Sequence, residues 1–504
     1  MVINVNSMAF FRKHLSLLIL LVLGIVAFFR AAIVLDPDFG WHLRMGEQII
    51  SHGIPLTDPF SYTMLSYHVI DYEWLSNVLM ATGYKSIGIY GLSVIFAFIF
   101  VAGLFLAIPK KFKEYASLPL VLAGALMLGF FGIRPQIITW FFLALLLNVI
   151  FDEELWKKWK FFLPLIFIPW ANLHGGFAVG IGILCLVFIF KSIQNKKFEF
   201  TYFAVFLLSV IFTFVNPYGP NLWREVWVTL SDSSNLRWTI AEWAPAVFYI
   251  DYALFILLSL SLFLVFKYRA KIGGIKILVY FLLFLMAVSS IRNLPLWGLS
   301  AILITSAALK FLVDEVNKDK YGRERLEKLK KILFVAILLV FGYEIYVNLT
   351  AAFTLSEQNF YPFQAVRFLN NHKLNGNLFT SYNYAGYVLW KVPAKKDFID
   401  GRMASWRISG YVPNESNYVF KDYLKMISDE SFFKKMLQKY GIRYVLLQVL
   451  QKTKNKQLPF VAKLEKYLQK FEFWHTNSAV IDGDLTKLGM KEIYNDGKFV
   501  IYQR

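Results

Sequence analysis

Residues 35–75 open LDPDFGWHLRMGEQIISHG and close VIDYEWL, and the rest of the chain is read outward from them. They follow residues 15–34, a run apolar except for Ser16 and Arg30. That run is long enough to cross a bilayer, for which about 20 residues are needed. Asp36 and Asp38 therefore emerge at the membrane surface within one turn of the end of the span. A second acidic pair, Asp71 and Glu73, closes the same loop just before the next apolar run. Four carboxylates at a bilayer edge mark this loop as the floor of a candidate active site.

The composition agrees with a span before the loop. The 504 residues are 57% hydrophobic and 18% aromatic, whereas soluble domains are about 45–50% apolar; the chain reads as an α-helical, polytopic membrane protein. A formal charge of +19 would suit nucleic acid, but Lys and Arg gather in short clusters between apolar runs, as retention on the cytoplasmic side requires. No nucleic acid is expected as a partner. The single cysteine, Cys185, sits inside GILCLVFIF, so no intrachain disulfide can form. Arg12 and Lys13 precede an apolar core longer than the h-region of a signal peptide, which predicts a retained first helix.

Apolar runs predict spans near 15–35, 76–107, 116–133, 136–151, 161–173, 176–190, 201–215, 248–266, 275–291, 295–312 and 332–350, about eleven crossings within a membrane domain of 1–350. The break NLHGG divides 161–190, which is too long for one straight crossing. With eleven crossings the basic clusters fall on one side, so the amino terminus is cytoplasmic. The polar segments DPDFGWH, IDYEW, IRPQ, NLHGGF, NPYG, AEWAP and SIRN then fall on the other side. Beyond residue 350 the apolar runs are too short to span. LFTSY, YVLWKV, DFIDG and YVLLQVL read as strands, and PFQAVRFLNNH and ESFFKKMLQKYG as amphipathic helices. Residues 351–504 are thus expected to form an extracytoplasmic, net basic, soluble α/β domain.

Asp36 and Asp38 have two readings. Asp38 can cap a surface helix over 39–52 that Gly53 ends. The pair can also act on chemistry, because a partly dehydrated carboxylate serves as a base or holds a divalent metal. The sequence leaves the cofactor open, with Asp36 and Asp38 as the ligands if there is one. The helix after them is amphipathic through Trp41, Met45, Ile49 and Ile50, which suggests that it lies on the membrane and roofs the site. His42 is a ligand or acid, or simply hydrogen-bonded. On a strand Asp71 and Glu73 would point to one face; otherwise they start the next helix.

Cations on the same face would have to meet any anionic substrate. Arg134 in GIRPQ and Arg292 in SIRNLP lie at the outer ends of apolar runs, an expensive place for charge without a partner. An arginine there matches a phosphate oxygen pair, or it snorkels to the interface. Asn172 and His174 in WANLHGGF either touch substrate or satisfy the broken helix. Glu242 in AEWAP, near Trp238 and Trp243, either meets a sugar ring or belongs to an interfacial belt. NPYG and FIDGR, the latter holding Asp400 and Arg402, read as turns without a catalytic role.

With these motifs in order, the chain resembles the GT-C superfamily of membrane glycosyltransferases, in particular bacterial multi-pass proteins that open with a DPDxxWH-type loop. DPDFGWHL, TDPFSYT, DYEWL, RPQ, NLHGGF, NPYG, EWAP and RN carry the likeness, and GNLFTSYNYAGYVLW and FIDGR extend it into the last third. The resemblance implies a polyprenyl-phosphate-linked sugar as donor and an inverting transfer of a hexosyl or pentosyl group. It implies a cell-envelope glycan, lipid or protein as acceptor, in the plasma membrane with chemistry on its outer face. Asp36 or Asp38 would assist the acceptor hydroxyl, and Arg134 and Arg292 would hold the carrier phosphate. His42, Asp71, Glu73, Asn172, His174 and Glu242 are the further candidate substrate contacts. The first loop lacks the Asp-Glu dipeptide of eukaryotic protein mannosyltransferases. Two other classes stay open: a lipid-linked glycan transporter or flippase, which needs charged residues deep in several spans, and a non-catalytic envelope-assembly scaffold.

Overall fold

The computed structural model describes residues 5–249, 251–318, 320–449 and 485–504, so the last residue of YVLLQVL lies outside them. The chain divides into two compact units. One holds Met1–Val34, Gly83–Val226 and Thr239–Leu355; the other holds Leu35–Thr82, Trp227–Trp238 and Ser356–Arg504. The acidic loop, grouped by sequence with the membrane domain, thus clusters with the C-terminal residues.

The first unit is a helical membrane domain, and each of the eleven apolar runs contains a helix. Among the described residues six are long and apolar enough to cross a membrane: Leu15–Ile33, Trp74–Leu106, Phe177–Gln194, Tyr252–Ile272, Ile291–Val316 and Val335–Thr354. A seventh crossing results if Gln136–Phe151 and Glu153–Trp159, bent by 106°, form one span. Ser117–Leu128, Leu163–Leu173, Phe200–Phe212 and Gly274–Ser289 are shorter. At 1.5 Å per residue, such a helix does not by itself traverse a hydrocarbon core about 30 Å thick. Eleven full crossings are therefore not what helix length gives.

Leu294–Val316 forms the core of this unit, with every residue from Leu294 to Ala308 buried. It packs on Ser117–Leu128, Tyr252–Ile272 and Gly274–Ser289. Its small residues admit close neighbours, as helix association in lipid requires. Ser300 and Ser306 donate back to the carbonyls of Trp297 and Ile302, so neither hydroxyl is left unpaired in the apolar interior. Arg30, in the last turn of the first helix, α1 (Val5–Ile33), is also satisfied. Arg30 donates to the carbonyls of Phe131 and Gly129 and to Asn348 Oδ1. The run 161–190 is two helices, with His174 extended at φ −166° where they part.

The second unit is α/β. Strands β1 (Asn377–Thr380), β2 (Ile442–Gln448), β3 (Lys491–Asn495) and β4 (Phe499–Gln503) form one sheet in the order β1-β2-β4-β3. β1 and β2 are parallel, and the other two pairings are antiparallel. The helices Phe363–His372 and Glu430–Lys439 lie where their amphipathic patterns put them. Two expected strands do not form. YVLWKV belongs to the helix Tyr382–Lys391, which is buried from Tyr384 to Leu389; burial on all sides erases the helical period and leaves a run that mimics a strand. DFIDG makes a single bridge, Ser61 with Asp397, before a 3-10 turn at Gly401–Met403.

Candidate functional site

The acidic loop is built into the second unit. Helix α2 spans Phe39–His52, and Gly53 ends it at φ 82° with its N–H on the Ile49 carbonyl, as the sequence predicted. The buried face of α2 (Phe39, Trp41, Met45, Gly46) packs on protein rather than on lipid. Gly40 lies against the Gly386 carbonyl in Tyr382–Lys391, closer than any Cβ could come. Trp41 and Met45 form a cluster with Phe60 and Leu389, and only Ile50 of the expected lipid face is strongly exposed. The proposed roof on the membrane is thus corrected to a helix held by the C-terminal residues. Further along the loop, Tyr62 donates to the Leu378 carbonyl at 3.0 Å and Thr63 to the Phe398 carbonyl at 2.7 Å.

Asp38 occupies the residue before α2 but caps no backbone N–H with its side chain. Its Oδ1 accepts instead from the Trp41 indole at 2.9 Å. Asp36 Oδ1 accepts the Asp38 backbone N–H at 2.9 Å. The proline between them and these two bonds hold the pair at a fixed spacing. Each carboxylate therefore has at least one oxygen in a defined direction. For a metal the pair falls short: among the described residues no group of three or more His, Cys, Asp or Glu side chains is placed to bind an ion.

Asp71 and Glu73 are on a turn before α3 (Trp74–Leu106), not on a strand. Asp71 Oδ1 accepts the Glu73 N–H at 3.0 Å, and Asp71 Oδ2 accepts Asn77 Nδ2 at 2.7 Å. Asn77 Oδ1 in turn lies 2.6 Å from His42 Nδ1. The structure so joins His42 to Asp71 through Asn77, a fully buried residue the sequence reading passed over. Burial pushes the Asp71 carboxyl up to about 6, against the lowering effect of its hydrogen bonds and of Arg402.

That arginine is the centre of a second group that sequence reasoning missed. Arg402 donates to Asp400 through Nε at 3.0 Å and Nη2 at 2.5 Å, and to Asp58 through Nη1 at 2.9 Å. Both carboxylates are fully buried. Asp397 is buried beside them, and neither of its oxygens has a hydrogen-bond partner. Burial, with Asp400 next to it, drives its carboxyl well above the usual range. The only available signal was that TDPFSY and FIDGR are polar motifs in otherwise apolar surroundings.

In the membrane unit, three candidates meet. Arg134 forms a two-pronged ion pair with Glu242, at 2.6 and 3.0 Å. Arg292 lies over Trp243, its guanidinium carbon 4.3 Å from the ring centre. Burial would raise the Glu242 carboxyl, but Arg134 and Arg292 outweigh it and hold the group below its ordinary value. Glu242 is therefore the counter-ion of Arg134, and it is ionised. Asn172 and His174 lie at the break between two helices. Asn172 gives its amide protons to the Ile168 and Val215 carbonyls, both at 2.8 Å, which satisfies the broken helix. His174 Nδ1 accepts the Gly176 N–H at 2.9 Å and meets Thr139 Oγ1 at 2.8 Å, so its remaining ring proton sits on Nε2.

No protein-family model matches the sequence, and no curated protein sequence is similar to it. Solved structures are similar. The oligosaccharyltransferase AglB of the archaeon Archaeoglobus fulgidus, in complex with an inhibitory peptide and a dolichol-phosphate, superposes with a TM-score of 0.52 at 12% identity, over 87% of this chain and 70% of that one. The Archaeoglobus fulgidus oligosaccharyltransferase in complex with Zn and sulfate gives 0.50 at 12%, over 85% and 68%. ArnT from Cupriavidus metallidurans, bound to undecaprenyl phosphate, gives 0.49 at 12%, over 99% and 98%. The chain has the GT-C fold that its motifs implied, and it is a multi-pass membrane protein.

Proposed function

We propose that this protein is an inverting membrane glycosyltransferase. It moves a hexosyl or pentosyl group from a polyprenyl-phosphate carrier to a glycan, lipid or protein of the cell envelope, on the outer face of the plasma membrane. The observation that carries the reading is Arg292. It stands at the start of a membrane span, stacked on Trp243 beside the Arg134–Glu242 pair. Among the described residues its guanidinium makes no hydrogen bond or ion pair. An oriented guanidinium with its donors unused, at the edge of a bilayer, suits the phosphate of a lipid whose tail stays in the membrane. The GT-C fold, and the dolichol-phosphate on the archaeal oligosaccharyltransferase, support the same ligand class.

In the reaction the acceptor hydroxyl oxygen attacks the anomeric carbon. The carbon–oxygen bond to the phosphate breaks, and its electron pair leaves with the carrier. Arg292 stabilises the charge that develops on the phosphate, and Arg134, fixed by Glu242, adds to the positive potential there. Asp38, oriented by the Trp41 indole, takes the acceptor's proton, and Asp36 holds the Asp38 backbone. His42, Asn77 and Asp71 stiffen the same loop. The two carboxylates alone do not make a metal site, so no step is routed through one.

The test is donor kinetics with radiolabelled undecaprenyl-phosphate sugars. Arg292→Lys keeps the charge but loses the planar fork, and it should raise the donor KM about tenfold, about 1.4 kcal/mol. A donor KM unchanged in both Arg292→Lys and Arg292→Ala would remove the phosphate from this place.

A further inference from the structure

We propose that Gly401 is a positioning residue for Asp38, so that the C-terminal residues are a structural wall of the catalytic loop rather than a separate recognition module. This inference rests on the reading of Asp38 as the acceptor-side base.

The placement of Gly401 carries it. A Cβ added there would collide with Asp38 Oδ1 and would lie 3.0 Å from Trp41 Nε1 and 3.2 Å from Asp38 Cγ. Those are the two ends of the hydrogen bond that orients the carboxylate. Gly401 has no left-handed backbone angle, so nothing in its conformation asks for glycine. The absence of a side chain serves one end, the approach of Asp38. The wall itself is rigid. Asp400 accepts the Arg402 backbone N–H at 2.9 Å, and the Arg402 guanidinium ties Asp400 to Asp58 in the loop. Gly386 gives a second close approach on the same side, because a Cβ there would lie 2.8 Å from the Pro37 carbonyl oxygen. The segment Asp36–Trp41 is thus set between two glycines more than 340 positions along the chain, and the proton-accepting oxygen can only point where they leave room.

A shift of about 1 Å in a reacting group can lower turnover by about a hundredfold. Gly401→Ala should therefore lower kcat by about ten- to a hundredfold and leave the donor KM within about twofold, since the phosphate contacts lie elsewhere. Ile501→Val, a small cut in the buried sheet core, is the control for stability alone; it should cost a few degrees of melting temperature and keep kcat. The measurement uses full-length protein in detergent with radiolabelled undecaprenyl-phosphate sugars, with Asp38→Asn in parallel. A native kcat in Gly401→Ala, or a loss no larger than that of Ile501→Val, overturns the positioning role. Full activity in Asp38→Asn, or no transfer by the native chain, overturns the reading beneath it instead.

Discussion

Replacing Arg402 with Gln removes the cation from the buried charge cluster of the second unit. The guanidinium now bridges two fully buried carboxylates, with Asp397 next to them. Removing one partner of such a buried group leaves charge without compensation and costs about 3–5 kcal/mol. For a unit of about 200 residues, each kcal/mol lowers the melting temperature by about 2–4 °C, so Arg402→Gln should melt about 6–20 °C below the native chain at pH 7.5. The deficit should depend on pH with a definite sign. Without the guanidinium, two carboxylates are left buried with no cation, and burial disfavours the charged form. A carboxyl raised on folding stabilises the fold below its unfolded value, and that contribution is lost as pH rises toward the folded value. Acidification from pH 7.5 to 5 should then recover part of the loss. Thermal unfolding of the full chain in detergent, with hydrogen exchange at Ile442–Gln448 to report on the sheet, measures both effects. A deficit below 2 °C, or one identical at both pH values, would refute the picture of a charge cluster held by a single cation.

Two other substitutions test separate parts. Asp71, pushed up by burial to about 6, takes up a proton on folding; stability should decline as pH rises from about 4 to 6, by at most about 3 kcal/mol, and Asp71→Asn should flatten that slope in melts across the range. The same substitution opposes an amide NH₂ to the Asn77 NH₂, so Asn77 should turn over and its oxygen leave His42, visible in a structure of the variant. Glu242→Gln removes the negative charge between the two arginines. Because the pair is partly exposed, stability should change by less than about 1 kcal/mol, while the donor KM should fall by about two- to fivefold.

The sequence made the membrane helices and α2 legible, because their information is local. The acidic start, the apolar period over 39–52 and Gly53 belong to one segment, and that segment forms the helix. The surface that α2 meets was not legible. Its partner, Gly386, is 346 positions away, and an amphipathic helix after a span suggests lipid as readily as protein. YVLWKV misled for a related reason: a helix buried on every side presents no polar face, so strand and helix look alike. The basic residues at span ends were read as candidates from cost alone, and charge at a bilayer edge does draw partners, as Arg134 with Glu242 and Arg292 with Trp243 show. Asn77 gave no signal, since an asparagine in the first turn of a helix is ordinary, and its role arises only when His42 and Asp71 flank it. Asp58, Asp397 and Arg402 come from separate stretches, and only folding brings them into one buried group.

The most direct test of the central claim compares the native chain with Asp36→Asn and Asp38→Asn in membranes supplied with radiolabelled polyprenyl-phosphate sugars. The account predicts that label moves into an envelope component, and that Asp38→Asn lowers the rate by about a hundredfold or more at unchanged melting temperature, with a smaller loss for Asp36→Asn. Transfer at the native rate by both variants would contradict it.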